Sequence, residues 1–97
     1  QDFNYEMEDN SWAHLEFQST NEGVQGLKRF RTYEALTSYQ YGVAITTYVL
    51  FSGNIKNPVT EYSEGINTYR VHPIILQGRN ADQLLGTLEA KIQTGEY

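Results

Sequence analysis

The sequence predicts one small α/β domain, a mixed β-sheet flanked by helices. Residues from Phe3 to Phe17 alternate apolar and polar with period two, as two half-buried strands do. Residues 24 to 41 switch to helical spacing, and a charge-poor run follows from Val43 to Phe51. At 97 residues and 39% hydrophobic content the chain can enclose one core, so two domains are excluded.

In the first pair, Phe3, Tyr5 and Met7 share a face with Ala13, Leu15 and Phe17, and Asp9-Asn10-Ser11 is the turn. After a loop at Ser19 to Gly23, Gly26, Phe30, Tyr33, Thr37 and Tyr41 fall on one helical stripe with Lys28 and Thr32 opposite, and Gly42 ends the helix. Val43 to Phe51, rich in β-branched and aromatic residues, is the expected central strand. Gly53-Asn54 and Asn57-Pro58 make Ser52 to Glu64 a loop. Ile66 to Leu76 is a strand in which Pro73 removes a ladder donor, which implies an edge position or a break near His72. Asn80 then caps a last helix carrying Ala81, Leu84, Leu85, Leu88 and Ile92. A strand-helix-strand passage implies a parallel pair, so the sheet is mixed.

No apolar stretch approaches the roughly 20 residues of a membrane-spanning helix. No secretory leader is present, and the absence of Cys excludes disulfides and thiolate chemistry. A cytoplasmic protein is the expectation. The chain starts inside a strand and stops just beyond a helix, so residues 1–97 read as a piece of a longer protein. The net charge of −5 argues against binding nucleic acid by global attraction but permits a site that first takes up a divalent cation.

Matching the apolar faces with a short turn sets Glu8 opposite Trp12, Glu6 opposite His14, Asn4 opposite Glu16 and Asp2 opposite Gln18. Asp2 is then diagonal to Glu16. Directly opposed Cβ atoms lie about 5 Å apart and diagonal ones about 7–8 Å, so the two carboxylates can reach one cation. Oxygen ligands of this kind suit Mg²⁺ or Mn²⁺. The plain alternative is that this face of the hairpin is polar because it is wet.

The succession His14-Leu15-Glu16-Phe17-Gln18-Ser19-Thr20, Arg29 and Tyr33, Tyr48 to Asn54 with Lys56-Asn57-Pro58, and Asn67 to Val71 resembles the recombination-promoting nuclease and transposase branch of the PD-(D/E)XK superfamily. The likeness runs from Asp2 to about Ile92. It implies a restriction-endonuclease-like core, truncated at its N-terminus, that hydrolyses phosphodiester bonds in DNA during transposition or recombination. Asp2 and Glu16 match the acidic residues of the motif, and Gln18 stands where many members have Lys. The resemblance gives the metal, Mg²⁺ or Mn²⁺, the ligands Asp2, Glu16 and the backbone carbonyl of Phe17. Gln cannot supply the charge of Lys, so Lys28, Arg29 or Arg31 would contact phosphate. The superfamily tends to carry a further acidic residue on a helix before the first strand, which this chain lacks. Two cuts on a duplex call for two sites, hence a homodimer. The alternative is a nuclease fold whose chemistry has lapsed and which binds DNA or a protein partner.

His14 shares the face of Glu16 and can serve as ligand or proton carrier, although a lone His is a weak metal signature. Tyr33 lies on the packing stripe. Turn chemistry accounts for Asn54 and Asn57. His72 reads as a strand-end residue, and Arg70 and Arg79 as solvated charges. A protein-interaction domain unrelated to nucleases is a third possibility, motivated by the eight Tyr and the acidic balance.

Overall fold

The computed structural model describes residues 3–76 and Ala90. They form an α/β fold with a mixed sheet and one helix, in the order β1 (Phe3–Glu6), β2 (Trp12–Gln18), α1 (Gly23–Tyr41), β3 (Ile45–Ser52), β4 (Glu61–Glu64), β5 (Asn67–Arg70) and β6 (His72–Leu76). The main sheet has the order β1-β2-β3-β6, and β4-β5 is a separate hairpin. β1 runs antiparallel to β2, whereas β2, β3 and β6 are parallel. The last helix expected from Asn80 lies outside the described residues, as do Asp2 and Arg79.

The hairpin register differs from the one expected. Asn4 pairs with His14 and Glu6 with Trp12, two residues away from the pairing of Asn4 with Glu16. The cause is the left-handed residue that closes a three-residue loop. Asn10 takes that conformation, with φ 71°, and asparagine tolerates it better than Ser11 would. The loop is therefore Glu8-Asp9-Asn10, closed by Met7 N–H donating to the Ser11 carbonyl at 2.7 Å. Asp9 Oδ1 accepts from the Ser11 N–H at 3.0 Å and its hydroxyl at 2.6 Å. A shift of two preserves the faces.

α1 buries Gly26, Phe30 and Thr37 of the predicted stripe and adds Leu27, whereas Tyr41 at its end is 57% exposed. Gly42 ends it in the left-handed conformation, φ 64°, its N–H donating to the Ser38 carbonyl at 2.8 Å. β3 is central as expected, and Thr47 through Phe51 are all buried. One sheet face holds Ala13, Leu15, Tyr48 and Leu50, packed by Tyr5, Met7, Ile74 and Leu76. The other is covered by α1, with Leu27, Phe30, Val49, Phe51 and Val71 at its centre.

Two expectations change. The segment Ser52 to Glu64 is not all loop: Glu61–Glu64 pairs with Asn67–Arg70 around Gly65-Ile66, a two-residue turn with φ 63° at Gly65. Tyr62 is the only apolar residue of β4, so alternation gave no signal. Ile66 to Leu76 is not one strand but two, separated at Val71, and β6 carries Pro73 on the edge of the described sheet. Among the described residues no helix is long and apolar enough to cross a membrane.

Candidate functional site

The face of β2 expected to be wet is enclosed. His14 is 0% exposed, Glu16 7% and Gln18 3%. α1 runs back along β2, and three contacts fix it there. Trp12 meets Tyr41 with ring centroids 5.0 Å apart, and His14 stacks on Tyr33 at 4.2 Å. At the far end Gly26 faces Gln18: a Cβ there would lie 2.9 Å from Gln18 Nε2 and 2.9 Å from the Glu22 Cβ. A Cβ at this close approach would displace the Gln18 amide and crowd the Glu22 side chain.

A polar network lies beneath the helix. His14 Nε2 is 2.9 Å from Glu16 Oε2. His14 Nδ1 is 3.3 Å from Thr47 Oγ1, which donates to Glu34 Oε2 at 2.6 Å. Tyr69 OH donates to the same Glu34 oxygen at 2.8 Å. Parallel pairing sets His14 opposite Thr47, so the two strands build the first link of this chain. Asn4, opposite His14 on the other side, donates to Tyr33 OH at 2.6 Å. Burial pushes the Tyr69 phenol well above its ordinary pKa, and the adjacent Glu34 carboxylate adds to this.

The remaining predicted residues lie elsewhere in the fold. The Phe17 side chain points away from α1 and is 37% exposed, leaving its backbone as the only group it could offer. Arg29 Nη2 contacts Glu22 Oε1 at 2.6 Å, at the Gln18 end of the helix. Lys28 and Arg31 lie on the β4-β5 flank, sharing Glu64 at 3.5 and 3.4 Å, and Arg31 also donates to Tyr62 OH at 3.1 Å. His72 pairs with Tyr48, whose side chain belongs to the opposite sheet face. Asn54, Lys56 and Asn57 occupy the loop after β3, with Asn57 at φ 52°.

No family model, curated protein or solved structure matches this chain. The site is therefore read from its own chemistry. Among the described residues no group of three or more His, Cys, Asp and Glu could hold a metal ion. Glu16 offers one hard carboxylate, which suits an ion that keeps several waters and takes few protein ligands. Asp2, the predicted partner of Glu16, is outside the described residues.

Sequence reasoning missed Thr47, Glu34 and Tyr69. Glu34 left a readable signal, since it stands four residues after Phe30 and three before Thr37 on the packing stripe.

Proposed function

We propose that this chain is the catalytic core of a metal-dependent DNA endonuclease of the PD-(D/E)XK kind, with a restriction-endonuclease-like core, acting in transposition or recombination. One observation carries the reading: β2 turns His14, Glu16 and Gln18 under a helix instead of into water. Burying polar groups costs several kcal/mol unless they are satisfied, roughly 2–7 kcal/mol per group without a partner, so a merely solvated hairpin face does not account for them. Buried ionisable groups occur at functional sites as well as in structural ion pairs.

In this reading Glu16, Asp2 and the Phe17 carbonyl hold Mg²⁺ or Mn²⁺. When bound, the ion supplies Lewis-acid polarisation of the scissile phosphate and a water of lowered pKa. Glu16 is held in place by the adjacent His14 imidazole. Gln18, pinned against Gly26, orients a phosphate oxygen or the attacking water through its amide. Arg29 is the α1 cation at that end, and exchanging Glu22 for a phosphate would bring it to the substrate. α1 keeps bulk water from the inner side of Glu16. Cleavage of both strands calls for two copies of the site, hence a homodimer on DNA.

Supercoiled plasmid incubated with Mg²⁺ or Mn²⁺ tests this. The native chain should nick it, and Glu16→Gln should lose at least about a hundredfold in rate. A chain that binds DNA equally with and without Glu16→Gln and cuts under no divalent ion would instead be a lapsed nuclease core.

A further inference from the structure

Apart from β2, cations gather on the side of α1 that meets the β4-β5 hairpin. Three of the chain's seven Lys and Arg fall in one helical turn, Lys28, Arg29 and Arg31. Arg29 pairs with Glu22, whereas Lys28 and Arg31, three residues apart, share the hairpin side. With Ala35, Leu36, Tyr62 and Glu64 they line an open groove of about 410 Å³. That volume is within the range of small-ligand sites, about 300–1,000 Å³.

Lys28 Nζ and Arg31 Cζ lie 6.0 and 5.8 Å from the centroid of the Tyr62 ring, so two like charges converge on one aromatic side chain. Like charges this placed repel unless an anion joins them. Glu64 does so with one oxygen for each, Oε2 to Lys28 at 3.5 Å and Oε1 to Arg31 at 3.4 Å. Both contacts are longer than the about 2.7–2.9 Å of a strong charged hydrogen bond. The Glu64 side chain is 59% exposed, so another anion can take its place at little cost. Among the described residues Arg31 hydrogen-bonds through Nη1 alone, to Tyr62 OH at 3.1 Å and to Glu64. Its Nε and Nη2 donors are left for a ligand, and the guanidinium fork matches phosphate.

Two cations balance a phosphate monoester, which carries about −1.5 to −2 at neutral pH, better than a singly charged carboxylate. Leu36, 65% exposed, gives the groove an apolar wall beside the Tyr62 ring. Cations beside an aromatic ring are how single strands are held, because every base has a π-face. We propose that the groove between α1 and the β4-β5 hairpin binds the phosphorylated end of a single nucleic-acid strand. Lys28 and Arg31 hold the terminal phosphate in place of Glu64, and the last nucleoside lies against Leu36 and Tyr62. This site needs neither Glu16 nor a metal ion, so it stands or falls apart from the cleavage reading.

Fluorescence anisotropy of the full chain in EDTA, with an internally labelled single strand, tests it. A strand phosphorylated at its 5′ or 3′ end should bind at least about tenfold more tightly than the same strand with hydroxyl ends. Lys28→Gln and Arg31→Gln should abolish that difference. Arg70→Gln, which removes a charge paired with Glu61 on the same hairpin, should keep it. Glu64→Gln should tighten binding of the phosphorylated strand, a gain that no loss of folding can imitate. Equal binding with and without the terminal phosphate would overturn the inference, as would an equal loss in Arg70→Gln, the mark of general attraction. A phosphoserine peptide binding more tightly than the strand would overturn the nucleic-acid assignment. Because no divalent ion is present, failure of metal binding or cleavage leaves this result untouched.

Discussion

Replacing Thr47 by valine keeps the shape of a buried side chain, 1% exposed, and removes its hydroxyl. Two contacts are lost together, the 2.6 Å donation to Glu34 and the 3.3 Å hydrogen bond with His14 Nδ1. A hydrogen bond to a charged group contributes about 1.5–3 kcal/mol, and a buried donor left unsatisfied costs about 1–3 kcal/mol. Both effects run through one oxygen and overlap, and the valine methyl returns under about 1 kcal/mol. The net loss is about 2–4 kcal/mol, which for a chain of this size lowers Tm by roughly 10–25 °C. Thr47→Ser is the control: it keeps the hydroxyl and loses one methyl, about 1 kcal/mol. Thermal unfolding followed by far-UV circular dichroism measures both. If valine is no more destabilising than serine, the network does not support the fold.

The network also makes stability depend on alkaline pH. Burial raises the Tyr69 phenol above its ordinary value, so the folded chain keeps a proton that the unfolded chain releases. Stability is full below about pH 10 and falls as pH rises from there toward the folded pKa. Tyr69→Phe should cost about 1–2 kcal/mol at pH 8 and remove part of the loss between pH 8 and pH 11 in guanidinium titrations. An unchanged pH slope would contradict the burial argument. Glu64 lies 3.5 Å from Lys28 and 3.4 Å from Arg31, with every partner partly solvated, so Glu64→Gln should shift stability by under about 1 kcal/mol. A loss of several kcal/mol would mean that this flank of α1 is held electrostatically.

Much of this arrangement was legible in the sequence because it follows from periodicity. The faces of the hairpin, the burial of Gly26, Phe30 and Thr37 on α1, the stop at Gly42 and the central position of β3 all follow from patterns that burial enforces. The exact register did not, because face matching is blind to shifts of two residues and the decision rests on one backbone angle, at Asn10. Nor did the covering of the polar face. A pattern of alternating Glu, His and Gln has the same form whether water or a helix lies above it. Gly26 marks where α1 comes close to Gln18, since a Cβ there would displace the Gln18 amide. Of the buried polar face, spacing and resemblance singled out Glu16 and Gln18. Glu34, Thr47 and Tyr69 come from three different elements, and only tertiary structure places them in one network.

The central claim is that Glu16, with Asp2, holds a divalent cation. Calorimetric titration of Mn²⁺ into the native chain and into Asp2→Ala and Glu16→Ala addresses it without requiring a DNA substrate. The account predicts saturable binding by the native chain and at least about tenfold weaker binding by each variant, since each loses a direct oxygen ligand. Equal binding by all three would contradict it.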